Sequence, residues 1–179
     1  MMADGNYVGA LDQLKRFTEL PTDATLAAEA RFCIALCHYE QGRAECVNEM
    51  EEFIAENPGS HLVPRAWAVI GDWHFFNGRY GEAVKAYGEV GVNVLDVDAD
   101  LTLAYREGYS LLRLGEFSDA RIRFDRLSLS KSYRDAGVFF QGYVDYAQGN
   151  YDAALAKFGD VASNAELADA ARYYVCQIL

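Results

Sequence analysis

The stretch Asn77-Gly78-Arg79-Tyr80-Gly81-Glu82-Ala83-Val84-Lys85-Ala86-Tyr87-Gly88-Glu89-Val90 decides the fold. After Gly78 come an aromatic residue at +2, a small one at +5 and apolar ones at +9 and +12: Tyr80, Ala83, Tyr87 and Val90. That spacing puts all four on one face of a helix. The same set returns as Phe117, Ala120, Phe124 and Leu127 after Gly115, and as Tyr151, Ala154, Phe158 and Val161 after Gly149. Working outward, related turns stand at Gly5 and Gly42, so the five glycines are 37, 36, 37 and 34 residues apart. A period in the mid-thirties predicts stacked helix-turn-helix units, each burying an apolar face against its neighbours.

A glycine at the turn suits a helix C-terminus, where a left-handed residue satisfies orphan carbonyls without a Cβ penalty. Seven residues before four of the turns stands a small residue: Ala35, Gly71, Gly108 and Gly142. A glycine inside a helix costs roughly 0.5–1 kcal/mol relative to alanine, so these positions predict close approach of helix on helix. The second unit departs from the pattern, with Ala44 at the aromatic place and Val47 at the small one. Packing there is expected to differ locally.

Ala66-Trp67 through Ile70-Gly71, then Asn77-Gly78-Arg79-Tyr80, Ala83 and Tyr87, resemble the W-x2-L-G, G-x-Y and A-x3-F/Y positions of the tetratricopeptide repeat. The resemblance covers nearly the whole chain. It implies an all-α fold, a right-handed α-α superhelix of about ten antiparallel helices in a single solenoid. Its parts would be a half repeat 1–20, full repeats 22–57, 60–94, 98–130 and 131–164, and a half repeat 165–179. Gly5 has no helix before it and Leu179 stops inside a first helix, so both ends are expected to be cuts within a longer chain. Pro58 stands near the proline that often closes such a repeat, and Val97-Asp98-Ala99-Asp100 and Ser128 to Ser132 read as polar linkers. The segment Phe53-Ile54-Ala55-Glu56-Asn57-Pro58-Gly59-Ser60 is similar to a sub-group common in bacterial cell-envelope proteins, including long Bacteroidetes repeat proteins. This implies a periplasmic or cell-envelope setting, with the cytoplasm as the alternative.

In that family the first helices line a concave surface. Carrying over its groove positions, which lie ten, six, three and two residues before each turn glycine, gives a stripe rich in rings. It holds Phe32, Leu36 and Tyr39, then Asp72, Phe75 and Phe76, then Tyr105, Tyr109 and Leu112, then Phe139, Tyr143 and Tyr146, and continues to Tyr173. Tyrosine offers a large contact area with few rotors and a polar tip, which suits a binding surface. The expected function is a non-catalytic scaffold that holds a peptide or protein segment in this groove. The alternatives are that the rings pack on the adjacent helix, that the repeats form a structural spacer or self-assembly module through exposed solenoid ends, or that they regulate an attached enzyme or transcription factor. Some family members clamp a C-terminal carboxylate with Lys and Asn. Here those places hold Phe32 and Leu36, Ala68 and Asp72, and Tyr105 and Tyr109, so no such clamp is expected.

Composition narrows the partner. The 179 residues carry 16 basic and 27 acidic side chains, a formal net charge of −11, which disfavours nucleic acid and anionic membrane and favours a basic or neutral protein. No run approaches the roughly 20 apolar residues of a membrane span. Cys33, Cys37, His38 and Cys46 could be drawn as a zinc set, but they interleave with Ala30, Ile34 and Ala35 and read as core packing. Four cysteines without a paired framework suggest a reducing setting. Asp96, Asp98, Asp100 and Glu107 imitate a calcium loop, but Leu101 occupies the glycine place, so Asp98 or Asp100 is expected to cap a helix instead. Arg121, Arg123, Arg126, Lys131 and Arg134 form a basic cluster which, with Asp119, Asp125 and Asp135 interspersed, reads as a solvated face. No acid, base and nucleophile assemble into a motif, no phosphate loop appears, and neither a cofactor nor a metal is expected.

Overall fold

The computed structural model describes residues 7–18, 23–91 and 95–179; Gly5, the first turn of the period, lies outside the described residues. Ten α-helices and no strand run through the described residues: α1 (Tyr7–Thr18), α2 (Ala24–Glu40), α3 (Glu45–Glu56), α4 (Val63–Phe76), α5 (Tyr80–Gly88), α6 (Val97–Leu114), α7 (Phe117–Ser128), α8 (Arg134–Ala147), α9 (Tyr151–Asp160) and α10 (Ala168–Ile178). They fall into two compact units, Met1–Leu95 with α1 to α5 and Asp96–Leu179 with α6 to α10. Within each unit every helix packs on the next in sequence, as a chain of antiparallel helical hairpins requires.

The turns work as their glycines predict. Gly42, Gly78, Gly115 and Gly149 have φ of 70°, 70°, 81° and 78°. The residue after each glycine returns its N–H to the carbonyl five residues back: Arg43 to His38, Arg79 to His74, Glu116 to Leu111 and Asn150 to Asp145, at 2.8–2.9 Å. This closure absorbs a carbonyl that the helix end would otherwise leave bare, and it reverses the chain in two residues.

Three of the hairpins then lock a ring over a glycine. A Cβ on Gly71 would stand 2.4 Å from the Tyr87 ring, one on Gly108 2.8 Å from the Phe124 ring, and one on Gly142 3.2 Å from the Phe158 ring. The small residues Ala83, Ala120 and Ala154 of the second helices are fully buried beside them. Gly137 makes a close approach to backbone that the period does not mark. A Cβ there would lie 2.5 Å from the Ser128 backbone nitrogen and 2.8 Å from the Phe124 carbonyl oxygen, where α8 passes the end of α7.

The second hairpin differs, and the reason is local. Cys46 and Val47 donate to the carbonyls of Arg43 and Ala44, three residues back, so α3 begins with tight 3₁₀-type bonds. Such a start advances each residue further around the axis than an α-helix does. The buried stripe arrives one position early, as Cys46, Met50 and Phe53 rather than at Val47 and its successors. Met50 joins Ala35, Phe32 and Phe53 in the core of the first unit.

One boundary moves as well. Val97 to Asp100 lie inside α6 rather than in a linker, and the cap is Asp96, whose carboxylate accepts the Ala99 N–H at 2.9 Å. Asp98 and Asp100 sit in the first turn instead of capping it. There they still favour the positive end of the helix dipole.

Candidate partner-binding surfaces

In the second unit, α6, α8 and α10 bring their aromatic residues into one connected set. Tyr105 and Tyr109, one turn apart on α6, meet Phe140 of α8 with ring centroids 5.5 and 6.0 Å away. Phe140 stacks on the buried Phe124 ring at 5.0 Å and touches Phe139 at 5.3 Å. Phe139 leads to Tyr174 of α10 at 6.2 Å, and Tyr174 lies between Tyr143 and Tyr146 at 5.1 and 5.2 Å. Tyr151 and Tyr173 extend the set, at 6.1 Å from Tyr146 and 5.2 Å from Tyr174. Arg113 lies over the Tyr109 ring at 5.9 Å and donates to its hydroxyl at 3.3 Å.

Burial sorts these rings. Leu112 and Phe139 are buried and hold helix to helix, whereas Tyr105, Tyr109, Tyr143 and Tyr146 are half-buried and Tyr173 is 59% exposed. Burial raises the Tyr105 hydroxyl pKa above its ordinary value. It pushes that of Tyr174 to about 12, with Tyr143 beside it adding to the shift. Both stay neutral phenols, and that of Tyr174 is hydrogen-bonded to Tyr143. Phe140 and Tyr174 join this surface although the spacing rule skips them. Each is the neighbour of a marked ring, Phe139 and Tyr173, and such doublets are the signal that could have found them.

The first unit places its share differently. Phe32 is buried, 5.5 Å from Phe53, with the Arg65 guanidinium 5.9 Å from its ring. Leu36 and Tyr39 are half-buried and pack against the same core. Asp72 accepts the Tyr87 hydroxyl at 2.8 Å, which steadies the ring over Gly71. Phe75 and Phe76 make an edge-to-face pair at 5.3 Å, and Phe76 is 63% exposed.

Three residues of the basic cluster are spent on ion pairs between helices rather than on a solvated face. Arg123 reaches the buried Glu107 at 2.7 Å, Arg126 pairs with Asp100, and Arg121 reaches the buried Asp145 at 2.6 Å. Lys157 of α9 completes the Asp145 site at 2.5 Å. Burial raises the Glu107 carboxyl against the pull of Arg123. At Asp145 burial also pushes upward, but the hydrogen bonds and charges of Arg121 and Lys157 outweigh it and hold the carboxyl below the usual carboxylate range. Arg134 pairs with Asp135 at 3.1 Å on the surface.

The four cysteines are free thiols, with Cys37 and Cys46 buried, Cys33 half-buried and Cys176 exposed. Burial raises Cys33 and Cys37 and takes Cys46 to about 11, so these are packing residues rather than nucleophiles. His38 is buried against Glu49, 2.6 Å from Nδ1 to the carboxylate. Among the described residues no group of three or more His, Cys, Asp or Glu side chains is placed to hold a metal, and no helix is long and apolar enough to cross a membrane.

No curated protein matches the chain. Residues 105–162, from the middle of α6 to just past α9, match the family model of the tetratricopeptide repeat, which supports that family for this stretch and, with it, the general role of such repeats as scaffolds for protein–protein interaction.

Proposed function

We propose that this chain is a non-catalytic protein-interaction scaffold, and that the ring surface of α6, α8 and α10 holds a peptide or protein segment. The observation that carries the reading is the connected set of rings from Tyr105 to Tyr173, in which the tyrosines rest on two half-buried rings, Phe140 and Tyr174, that are themselves stacked on the buried Phe124 and Phe158. Rings fixed in this way lose little freedom on binding, the character of interface anchors. Tyr109, Tyr143, Tyr146 and Tyr173 are the contacts of choice. Phe75 and Phe76 make a smaller ring group in the first unit. The setting we propose is a cell-envelope assembly.

The test compares the chain with a Tyr109→Ala/Tyr173→Ala variant as baits against separated envelope and cytosolic extracts. A protein retained by the first and lost by the second, with the fold weakened by less than about 3 kcal/mol, supports the reading, and the fraction it comes from gives the compartment. Identical captures with both baits would refute the ring surface as the binding site. Association of the purified chain with itself, lost in the variant, would reassign the surface to self-assembly.

A further inference from the structure

Three polar side chains stand four residues before a turn glycine: His38, His74 and Asp145. Two of them are answered by charge. Asp145 of α8 accepts from Arg121 of α7 and Lys157 of α9. His38 of α2 leaves its Nε2 bare, but its Nδ1 meets the Glu49 carboxylate of α3 at 2.6 Å, which balances an imidazolium. His74, in the last turn of α4, differs from both. Its Nδ1 is buried and has no hydrogen-bond partner among the described residues. The ring borders a cavity of about 450 Å³ between the start of α3 and the end of α4, lined also by Glu45, Val47, Asn48, Trp73 and Arg79.

A second ring proton at His74 meets a hostile site. The neutral ring can leave a lone pair at Nδ1, whereas an imidazolium must place an N–H there with nothing to accept it. Burial and the Arg79 guanidinium hold the His74 pKa below the ordinary imidazole value of 6.5, against the opposite pull of Glu82 on α5 and Glu51 on α3. Glu45 lines the same cavity but is held by Arg43. The helix α2, which also packs on α4, brings no residue to the cavity, and none of these charges belongs to it.

We infer that this junction is an acid-sensitive seam: when His74 takes up a proton, its ring turns out of the packing into the cavity, where water reaches Nδ1, and the start of α3 loosens from the end of α4. The proton comes from solvent and adds to the Nδ1 lone pair, so no bond in the chain breaks. The cavity gives the ring room to turn, and Trp73 and Asn48 on its walls are the first to sense it. The sign follows from the lowered value. Stability held by the neutral ring is complete above 6.5 and drains as pH falls through the folded pKa. The corresponding junction of the second unit stays closed over that range, because Asp145, despite its burial, is held below the usual carboxylate range by Arg121 and Lys157. The device is independent of the ring surface of α6, α8 and α10.

The experiment follows the isotope-labelled chain by NMR from about pH 8 to about pH 5, which brackets the ordinary histidine value. The His74 ring should titrate with a midpoint below 6.5, and the Trp73 indole N–H, the Asn48 side-chain amide and the backbone amides at the start of α3 should move with that midpoint. Exchange of those amides, corrected for its intrinsic pH dependence, should speed by up to about tenfold per pH unit while the one proton is taken up. Amides of α7 and α8 should keep their protection. His74→Gln cannot take the proton and should remove the response at Trp73 and α3, with the other two histidines left in place as its control. Arg79→Gln removes a charge that opposes the proton and should move the midpoint to higher pH. Arg79 is exposed, so if His74→Gln fails to fold this variant still decides.

A His74 midpoint at or above 6.5, Trp73 and α3 signals that ignore it, an unmoved midpoint in Arg79→Gln, or an unchanged acid response in His74→Gln would each overturn the inference. Equal loss of protection at both junctions would do so too, since it would mark acid unfolding of the whole chain.

Discussion

In the α8–α9 hairpin the Phe158 ring lies against Gly142, while in the α2–α3 hairpin Met50 packs in one core with Ala35. The turns are the same, a left-handed glycine followed by the five-back hydrogen bond. The fillings are not. One hairpin puts its volume in a ring and leaves the facing helix bare; the other divides it between a thioether and a methyl, and rotates the second helix by one position to bring them together. Turn chemistry and core filling are therefore separable, and a core accepts either division as long as total volume is kept. Their edges differ too. The α2–α3 hairpin is edged by largely exposed ion pairs, whereas Asp145 of α8 is buried between Arg121 and Lys157.

The largest effects should come from emptying either core. Phe158→Ala removes a fully buried ring that also stacks on Tyr174 at 5.4 Å and should cost about 4 kcal/mol in urea unfolding. Met50→Ala, also fully buried, should cost about 3 kcal/mol. A loss below about 1 kcal/mol for Met50 would mean that the rotated stripe does not close its hairpin, and the comparison would fail.

Next come the close approaches, where the kind of neighbour decides. At Gly137 a Cβ meets backbone atoms of α7 that cannot move alone, so Gly137→Ala should cost about 2 kcal/mol by forcing the helices apart. At Gly142 the nearest atoms are side chains at 3.0–3.3 Å, and the gain in helix propensity offsets most of the crowding. Gly142→Ala should therefore change stability by less than about 1 kcal/mol. Melting curves of the two variants give the order, and equal losses would show that backbone and side-chain neighbours yield alike.

What the sequence revealed follows the same division. The turns at Gly42, Gly78, Gly115 and Gly149 are legible because a left-handed C-terminus strongly favours one residue type. The rings over Gly71, Gly108 and Gly142 are legible because each partner lies at a fixed distance along the same hairpin. The early stripe of α3 is not, since apolar residues stand in both registers, Cys46 and Phe53 beside Val47 and Ile54, and only burial separates them. Gly137 and the acid partners of the α7 arginines escape for another reason: the contacts run between helices, and Arg121 and Asp145 are 24 residues apart. On the ring surface, period alone could not divide Phe139, which turns into the core, from Phe140, which bridges to Tyr105.

Acid sharpens the comparison within the second unit. The Asp145 carboxyl is held below its ordinary range, so its stabilising contribution is complete above the unfolded value near about 3.9 and drains as pH falls through the lower folded value. Glu107 is raised, so its effect has the opposite sign: stability declines as pH rises from about 4.3 through the higher folded value. Asp145→Asn should flatten the acid limb of a stability–pH curve, and Glu107→Gln the limb just above it. Curves that shift in the same direction for both would show that the two buried pairs do not oppose each other.

The smallest effect tests the edges. Arg31 and Glu56 are more than half exposed, so a double-mutant cycle with Arg31→Ala and Glu56→Ala should give a coupling energy below about 1 kcal/mol, fading as salt rises. The same cycle on Arg121 and Asp145 should give a larger coupling that salt changes little, because the 6%-exposed carboxylate has already given up its water. Lys157 remains beside Asp145 when Arg121 is removed, so the single variant Arg121→Ala should be milder than Asp145→Ala, which strands two cations. If instead the exposed pair couples as strongly as the buried one, the glutamate face of α3 contributes to holding the first unit together.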